Sequence, residues 1–377
     1  MPQDRQQTAA SAAAKLKTAI PNLSKIKSVI GLDGFVDEII AVVDKRSSFD
    51  SYEPVRTIKQ MGEKIAAAVG QSSNYELVPR QMKLGGNGPI MANALASFGI
   101  SITYIGSLGY PALHPVFQEL AARAKVISIA DAGHTDALEF EDGKLMLGKI
   151  LQLNEVNWPN LVDRVGLDSL QQMVNESTLF GFLNWTMLPH MSSIWSKLRD
   201  EVFPKMTSGR RKFFVDLADP EKRHHEDIKE ALDILTSMQK TVDVILGLNL
   251  KESTEILAVL GLVKPTNPEA SIEQTAKTIR EKLNLNCVVV HPRSGAAAAT
   301  ADDSATIAGP LVKNPRISTG AGDHFNAGFA LGQSIGLTLA ESLCTGVGTS
   351  GYYVRTGISP GAKQLAEFIE DLPAPQA

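Results

Sequence analysis

The segment with the clearest chemical potential is a glycine-rich stretch that contains a carboxylate, Ser318-Thr319-Gly320-Ala321-Gly322-Asp323-His324-Phe325. The apolar pattern that follows predicts a helix running to Leu331. Glycines let a ligand approach the backbone closely, and the N–H groups at the beginning of a helix attract anions. A phosphate bound to Gly320-Ala321-Gly322 would lie beside Asp323, which could accept a proton from an attacking hydroxyl group. A carboxylate here could equally cap the helix, and the residues alone leave both interpretations open.

A second glycine-rich stretch, Leu84-Gly85-Gly86-Asn87-Gly88-Pro89, precedes the predicted helix Ile90–Phe98. Its glycines could bring a ligand close to the helix, but taken alone the stretch favours a tight strand-to-helix turn. Neither stretch fits the dinucleotide pattern GxGxxG, because Met91 and Phe325 stand where the third glycine is required. The sequence contains no GxxxxGK(S/T) motif, which excludes a P-loop.

Short apolar segments alternate with longer helical patterns along the chain. Strands that are apolar throughout and separated by helices predict an α/β fold with a mostly parallel sheet that is covered on both faces. The predicted strands are Ser28–Gly31, Ile102–Ile105, Leu179–Leu183, Phe213–Asp216, Val242–Leu246 and Cys287–Val290. The helical patterns between them include Ile228–Met238 and Ile272–Leu283.

Two segments depart from this rhythm and predict a small, separate β-sheet. Residues Asp136–Gly148 alternate in polarity around Asp142-Gly143, a dipeptide that favours a hairpin turn, and Tyr75–Met82 is also extended in pattern. Such a sheet could cover a binding site as a lid and exclude water from it. An ordinary hairpin at the edge of the main sheet fits the pattern equally well.

The two glycine-rich stretches together resemble the signatures of the ribokinase-like, or PfkB, carbohydrate kinases. The segment Thr319–Asn326 resembles the second signature, and Gly85–Gly88 with the helix that closes at Ser97-Phe98-Gly99 resembles the first. They stand in the expected order, about 230 residues apart. The resemblance implies a three-layer sandwich with a mostly parallel central sheet and a small β-sheet lid. It covers residues 28–371, with lid segments around 38–50, 75–84 and 136–148, an N-terminal extension at 1–27 and a C-terminal tail at 372–377.

The resemblance also implies roles for individual residues. It makes Asp323 the general base and Gly320-Ala321-Gly322 the anion hole for the transferred phosphoryl group. The implied sugar-binding residues are Asp33, Asp37, Gly85, Gly86 and Asn87, among which Asp37 fits best. The implied nucleotide-binding residues are Asn249, Glu252 and Gly295, and Glu252 is expected to hold Mg²⁺ through water. From the residues alone, Asn249 and Glu252 could instead form a capping box, and Asp33 could be a turn residue.

Four positions depart from the family pattern. Ile317 stands where the second signature usually has an aspartate that helps to bind a monovalent cation, so the motif does not predict activation by potassium. The loop His291–Gly295 keeps one of two usual glycines, Ile90 replaces an asparagine, and His324 replaces a threonine. None of these changes affects the predicted base or the anion hole.

The composition restricts the classes of function. The chain has 377 residues, of which 44% are apolar and 21% charged, as in globular proteins. Its formal net charge of -4 gives no electrostatic footprint for nucleic acid. No apolar stretch reaches the roughly 18 residues that span a membrane. Cys287 and Cys344 form no CxxC pair, and His224-His225 has no third ligand nearby, so we expect a cytoplasmic protein without a disulfide framework or a histidine metal site.

The sequence therefore predicts a cytoplasmic kinase that transfers the γ-phosphoryl group of ATP, with Mg²⁺, to a hydroxyl group of a sugar-like substrate. Two alternatives remain at this point. The acceptor could be a nucleoside, with Tyr75 as an aromatic partner near the lid, or the chain could be a non-catalytic ligand-binding protein of the same fold. A substrate that already carries a phosphate would need cations such as Arg80 and Lys83. Exposed lid edges predict a homodimer formed through the lid.

Overall fold

A computed structural model describes residues 5–207 and 209–376 of the chain. Within these ranges the chain forms 14 strands and 13 α-helices. The strands are β1 (Lys27–Leu32), β2 (Phe35–Ser48), β3 (Ser51–Pro54), β4 (Leu77–Gly85), β5 (Ser101–Ser107), β6 (Lys125–Ala130), β7 (Gly133–Phe140), β8 (Gly143–Lys149), β9 (Leu179–Phe182), β10 (Lys212–Asp216), β11 (Asp243–Leu248), β12 (Cys287–Val290), β13 (Gly295–Ala299) and β14 (Ser304–Ala308). The helices are α1 (Arg5–Ala19), α2 (Ile58–Ala67), α3 (Asn87–Ser97), α4 (Gln118–Ala121), α5 (Trp158–Val165), α6 (Leu167–Glu176), α7 (Met191–Lys197), α8 (His225–Met238), α9 (Leu250–Val259), α10 (Ile272–Leu283), α11 (Ala321–Ser334), α12 (Leu339–Thr356) and α13 (Ala362–Glu370).

The central sheet has nine strands in the order β14-β13-β12-β11-β10-β9-β1-β5-β6. The seven strands from β12 to β6 pair in parallel, and β13 and β14 add an antiparallel edge. All four residues of β9 and of β12 are buried, because helices cover both faces of the sheet. This confirms the predicted α/β fold with a mostly parallel sheet, and the predicted strand Cys287–Val290 has the observed bounds.

The core lies in two layers, one on each side of the central sheet. Successive strand residues point to opposite layers, so that Val29 packs in one and Ile30 in the other. One layer contains side chains of α5 to α10, and the other contains side chains of α1, α3, α4 and α11 to α13. The second layer includes the helices that follow both glycine-rich stretches, which places these two stretches side by side.

A second sheet of five strands forms the lid, which we define as β2, β3, β4, β7 and β8 together with α2. The hairpin between β7 and β8 turns where Phe140 pairs with Gly143, as the Asp-Gly dipeptide predicts. One face of the lid is covered by α2 through an apolar cluster that includes Ile40, Val42 and Met61. The opposite face carries Asp37.

The predicted N-terminal extension and the predicted C-terminal tail both pack against the rest of the chain. Helix α1 buries one face of alanines and Leu16 against α12 and α13. Alanine gives little contrast between an apolar and a polar face, which is why the pattern did not reveal this packing. Arg5 donates hydrogen bonds to the carbonyl groups of Leu372 and Pro373, and Leu372 is buried. Residues 1–4 and 377 of the predicted extension and tail lie outside the described residues.

Candidate active site

A cavity of about 410 Å³ lies where the carboxyl ends of β10, β11 and β12 meet the beginning of α11. This edge is where α/β proteins with parallel sheets bind their ligands. The cavity is lined by residues of both glycine-rich stretches and of the loops after these strands, including Asn87, Asp216, Asn249, Glu252, His291, Pro292, Arg293, Gly295, Leu311, Gly322, Asp323, Val347 and Val354. The structure therefore brings together the predicted base, part of the anion hole and the predicted nucleotide-binding residues.

Asp323 lies in the first turn of α11 and is only 8% exposed. Its Oδ1 accepts a hydrogen bond of 2.9 Å from Nδ2 of Asn87, so the two glycine-rich stretches meet at this carboxylate. Burial, and then the nearby carboxylate of Asp216, raise the pKa of Asp323 well above its ordinary value, while the bond from Asn87 acts in the opposite direction. A bound cation or hydrogen-bond donor at this place would therefore favour the ionised form.

The anion hole begins at Gly320, which has a left-handed backbone with φ +85° immediately before α11. A Cβ at Gly322 would meet only Cε1 of His291, at 3.4 Å, so the space beside this residue is open toward the cavity. The N–H of Ala321 donates to the carbonyl of Ser318 at 3.2 Å. The space toward the cavity is thus open at Gly322, whereas a Cβ at Gly320 would lie 3.4 Å from the side chain of Ile90.

Side chains from distant elements hold the loop before α11. The ring of His324 bonds the carbonyl of Gly320 through Nδ1 at 2.7 Å and Ser359 through Nε2 at 2.8 Å. It stacks on Tyr353 at 3.6 Å, and the Tyr353 hydroxyl donates to the carbonyl of Thr319 at 3.1 Å. Burial lowers the pKa of His324 to about 4, so the ring is neutral at physiological pH. The family's usual threonine is thus replaced by a ring that fixes the loop.

Asp33 is fully buried and caps α3. Its two carboxylate oxygens accept the backbone N–H groups of Asn87 and Gly88, each at 2.9 Å, and Nδ2 of Asn184 at 2.7 Å. Burial raises its pKa to about 6, against the effect of these hydrogen bonds. Both oxygens are thus occupied by groups of the protein, which favours the structural interpretation of Asp33. Asn184, in the left-handed region with φ 59°, had no sequence signal.

The glycines of the first stretch pack against protein side chains. A Cβ at Gly85 would lie 2.3 Å from Oδ2 of Asp37, and a Cβ at Gly86 would lie 2.8 Å from Oδ2 of Asp33. A Cβ at Gly88 would lie 2.4 Å from the hydroxyl of Tyr104. These glycines therefore make room for two carboxylates and a buried phenol, in keeping with the tight strand-to-helix turn that the stretch alone favours.

Asp37 lies on β2 of the lid and is 6% exposed. In the register of the lid it stands between Lys83 on β4 and Thr135 on β7. Burial raises the pKa of Asp37, and a hydrogen bond from Thr135 followed by the charges of Lys83 and Lys144 act to lower it. A carboxylate with two nearby ammonium groups is thus present on the lid face that lies opposite α2.

Asn249 and Glu252 form the capping box that the sequence offered as the structural alternative. Oδ1 of Asn249 accepts the N–H of Glu252 at 3.0 Å, and Oε2 of Glu252 accepts the N–H of Asn249 at 2.8 Å. The second oxygen of Glu252 accepts the N–H of Asp219 at 2.9 Å. Burial, and then the charge of Asp216, raise the pKa of Glu252 to about 8. Both residues also line the cavity, so the capping role does not remove them from the site.

Asp216 is a cavity residue that sequence reasoning identified only as the end of a strand. Its oxygens accept the N–H of Ala218 at 2.8 Å and Nδ2 of Asn326 at 2.7 Å, and burial raises its pKa to about 6. Ala218 and Asp219 both have positive φ angles of about 60°, a strained conformation for residues other than glycine. In residues 5–207 and 209–376, no three His, Cys, Asp or Glu side chains form a preformed metal site.

The loop after β12 carries a buried nitrogen at the cavity. The ring of His291 stacks on Phe325 at 4.7 Å, and its Nε2 has no hydrogen-bond partner among the described residues. Burial lowers the pKa of His291 to about 4.

A Cβ at Gly295 would lie 2.4 Å from the carbonyl oxygen of Ile307 in the β13–β14 pair, so this position requires glycine. His224 and His225, by contrast, stand at the beginning of α8, away from the cavity residues.

The fold is shared with solved sugar kinases. Ribokinase from Thermotoga maritima covers 91% of this chain and 98% of its own length at 15% identity, with a TM-score of 0.59. Ribokinase from Arabidopsis thaliana, complexed with ribose and ATP, gives the same coverage and identity with a TM-score of 0.61. A carbohydrate kinase from Agrobacterium tumefaciens covers 93% and 98% at 16% identity, with a TM-score of 0.62. The predicted ribokinase-like fold is confirmed.

Sequence comparison defines the family more narrowly. The family model described as prokaryotic ketohexokinase matches residues 4–372 of the chain. Ketohexokinase from Haloferax volcanii is 30% identical over 342 residues, which is 90% of each chain. The chain belongs to the prokaryotic ketohexokinase family, and it is an ATP-dependent sugar kinase, as predicted. None of the helices in the described part of the chain combines the length and apolarity needed to cross a membrane.

Proposed function

We propose that this kinase transfers the γ-phosphoryl group of ATP to a hydroxyl group of a ketohexose, with Asp323 as general base. The acceptor follows from the name of the relative and of the family. The observation that carries the catalytic assignment is a buried carboxylate at the open beginning of α11, on the wall of a cavity of about 410 Å³. Such a carboxylate can accept the proton of the attacking hydroxyl while helix N–H groups face the phosphoryl oxygens.

Each residue near the base has a distinct part in this reaction. Asn87 fixes one oxygen of Asp323 through its amide, which orients the carboxylate toward the acceptor. The N–H groups of Gly320 and Gly322 are the donors that we assign first to the phosphoryl group, because the N–H of Ala321 already donates within its turn. As the P–O bond to ADP breaks and the P–O bond to the sugar forms, the sugar proton passes to Asp323.

We assign the sugar to the lid face that carries Asp37. A buried carboxylate flanked by Thr135 and Lys83 can accept hydrogen bonds from sugar hydroxyl groups. Asn87 lies between this face and the base. Gly85 and Gly86 support the sugar site indirectly, by leaving room for Asp37 and Asp33, and Asp33 supports it by capping α3.

The cavity also fits the nucleotide and its metal. The buried, unpartnered Nε2 of His291 offers a hydrogen-bonding group for a polar part of the nucleotide, and Gly295 lines the same cavity. Mg²⁺ prefers oxygen ligands and keeps several waters, which suits the carboxylates of Asp216 and Glu252, with Glu252 oriented by Asn249. When bound through them, Mg²⁺ supplies charge neutralisation for the ATP phosphates.

The two earlier alternatives have less support. Tyr75, the aromatic partner considered for a nucleoside, packs with the apolar cluster beneath α2, on the lid face opposite Asp37. A ligand-binding protein without catalysis would not need a base beside an anion hole, and the family is one of kinases.

We further propose a cytoplasmic location, because Cys287 and Cys344 are free thiols. We also propose a homodimer that forms through the lid, because Met82, Met146 and Leu147 on its strands are half-exposed. Light scattering that shows only monomers would contradict the dimer.

The test is ADP release from Mg-ATP with a panel of ketohexoses, aldohexoses, sugar phosphates and nucleosides, for the wild type and for Asp323→Asn. We expect a ketohexose to give the highest kcat/KM, and Asp323→Asn to lower kcat by about 100-fold or more while ATP still binds. Unchanged turnover in Asp323→Asn would remove the general-base role. Preferred turnover of a nucleoside would replace the proposed acceptor.

A further inference from the structure

The tip of the lid hairpin reaches the anion hole. Lys144 is the second residue of β8, immediately after the hairpin turn. Its Nζ donates a hydrogen bond of 3.0 Å to Oγ1 of Thr319, the residue that precedes Gly320. A cation carried by the lid is therefore held at the first residue before the phosphoryl-binding loop, 175 residues away in the chain.

The register of the lid places this cation on the face that carries Asp37. Asp37 pairs with Thr135 on β7, and side chains at every second residue of a strand share a face. Glu139 is therefore on the same face as Thr135, and Lys144 is its partner on β8. The same face carries Lys83, which pairs with Asp37 on the other side. Two ammonium groups thus surround the region between the sugar site and the anion hole.

These two lysines lack the ion pairs that Lys149 and Lys64 of the lid have. Lys149 pairs with Asp136 at 2.8 Å, and Lys64 pairs with Asp44 at 2.5 Å. In the described part of the chain, neither Lys83 nor Lys144 has a carboxylate within the 4.0 Å of an ion pair. Burial, and then the charge of Lys144, lower the pKa of Lys83. The carboxylates of Asp37 and Glu139 act in the opposite direction and offset part of this repulsion, and a bound anion would offset more of it.

We propose that Lys144 is a catalytic residue whose ammonium group binds the transferring phosphoryl group, and that Lys83 serves the sugar site by stabilising the ionised form of Asp37. This inference rests on the proposed function. Lys144 forms and breaks no covalent bond. It donates hydrogen bonds to the phosphoryl oxygens, in exchange for its bond to Thr319, while the P–O bond to ADP is replaced by the bond to the sugar and the proton passes to Asp323.

The position of Lys144 on the lid has a consequence for the competing hydrolysis of ATP. The charge of Lys144 reaches the phosphoryl group only when the lid lies over the cavity. When bound sugar keeps the lid over the cavity, Lys144 completes the electrostatic environment for phosphoryl transfer. Water in place of the sugar does not keep the lid there. We expect the wild type to hydrolyse ATP very slowly without sugar.

The test compares Lys144→Met with Lys144→Arg, and with Lys149→Met as the matched control on the same strand. For each protein, kcat is measured, and the Kd values of the ketohexose and of its monophosphate product are measured by calorimetry. Lys144→Met should lower kcat by about 100-fold and weaken product binding about 10-fold, with sugar Kd nearly unchanged. Lys144→Arg should recover part of both losses. Lys149→Met should match the wild type, and Lys83→Met should weaken sugar binding instead.

Two results would overturn the assignment. If Lys144→Met lowers kcat while the product Kd is unchanged, the lysine does not touch the phosphoryl group. If Thr319→Val, which keeps the ammonium but removes its present partner, reproduces the whole loss, Lys144 acts only by holding the loop. The wild-type assay is read first: a wild type without sugar-dependent turnover contradicts the proposed function, whereas an active wild type with an equally active Lys144→Met contradicts this inference alone.

Discussion

In the stretch Gly85–Gly88 the glycines face protein side chains at close range, whereas Gly322 in the second stretch faces the cavity. Added Cβ atoms in the first stretch would lie 2.3 to 2.8 Å from carboxylate or phenol oxygens. Added Cβ atoms at Gly320 and Gly322 would find no neighbour nearer than 3.4 Å. The first stretch is thus closely packed, and the second leaves room beside Gly322, where we propose that the phosphoryl group binds.

A glycine-rich pattern therefore indicates that some group approaches the backbone closely. It does not indicate whether that group belongs to the protein or to a ligand. In both stretches the glycines come just before or within the first turn of a helix, and in both a carboxylate lies beside that helix. Asp33 uses its oxygens to cap α3, while Asp323 keeps its place on the cavity wall with one observed hydrogen bond from Asn87. We therefore assign proton exchange with the substrate to the second carboxylate alone.

The largest difference between the two stretches is expected when one glycine in each stretch is replaced by alanine. Gly88→Ala forces a methyl group against Tyr104, so we expect a loss of about 3 kcal/mol in the free energy of unfolding and a clearly lower Tm. Gly322→Ala has room and gains helix propensity, so its stability should stay within about 1 kcal/mol of the wild type. Its kcat should nevertheless fall about 10-fold, because the methyl group intrudes on the anion hole. Thermal unfolding and ADP release measure both effects, and a stable Gly88→Ala would contradict the comparison.

A smaller effect is expected at the sugar site. Asp37→Ala removes the carboxylate for which Gly85 leaves room, and should weaken ketohexose binding by about 10- to 100-fold while ATP binding stays within about twofold. Calorimetric titration with sugar and with a non-hydrolysable ATP analogue separates the two affinities. Equal losses for both ligands would mean that Asp37 acts on the structure as a whole and not on the sugar.

A further effect, on the pH dependence of stability, concerns the carboxylates beside the cavity. The pKa of Glu252 is about 8 in the folded protein, against an ordinary value of 4.5, so the folded state binds more protons than the unfolded state between these pH values. With chelator and without nucleotide, stability should therefore fall as the pH rises from about 4.5 to 8. Glu252→Gln, compared through the slope of Tm against pH, should reduce this fall. An equally steep profile in the variant would show that Glu252 does not titrate in this range.

Much of the architecture could be predicted because its signals are local. Strands such as Cys287–Val290 are apolar throughout, and the Asp142-Gly143 turn marks the hairpin. The two glycine-rich stretches carried the resemblance to the family through their residues and their order along the chain, and the role of Asp323 in the second stretch stays a prediction.

The contacts that complete the site could not be predicted, because their partners are far apart in the chain. Lys144 and Thr319 are separated by 175 residues, and Asn87 and Asp323 by 236. Only the topology of the two sheets brings such pairs together. Asp216 is the last residue of a buried strand, a position that carries no functional signal in the sequence. No local pattern shows that Asp216 lines the cavity.

The connections between the central sheet and the lid have a mechanical consequence. Asp33 and Gly34 alone join β1 to β2, and Gly86 alone joins β4 to α3. Hydrogen bonds tie these connections together, from Asn87 to Asp33 and from the N–H of Gly133 to the carbonyl of Gly34. We expect the connections joined by these hydrogen bonds to act as a single hinge about which the lid rotates.

Distance from that hinge differs for the two functional groups of the lid. Asp37 lies two register positions from Phe35, about 7 Å along the strand, whereas Lys144 lies opposite a residue six positions from Gly133, about 20 Å away. The same small rotation of the lid therefore moves Lys144 about three times as far as Asp37. We therefore expect the proposed sugar contact of Asp37 to persist through an angle of opening that already separates Lys144 from the proposed anion hole.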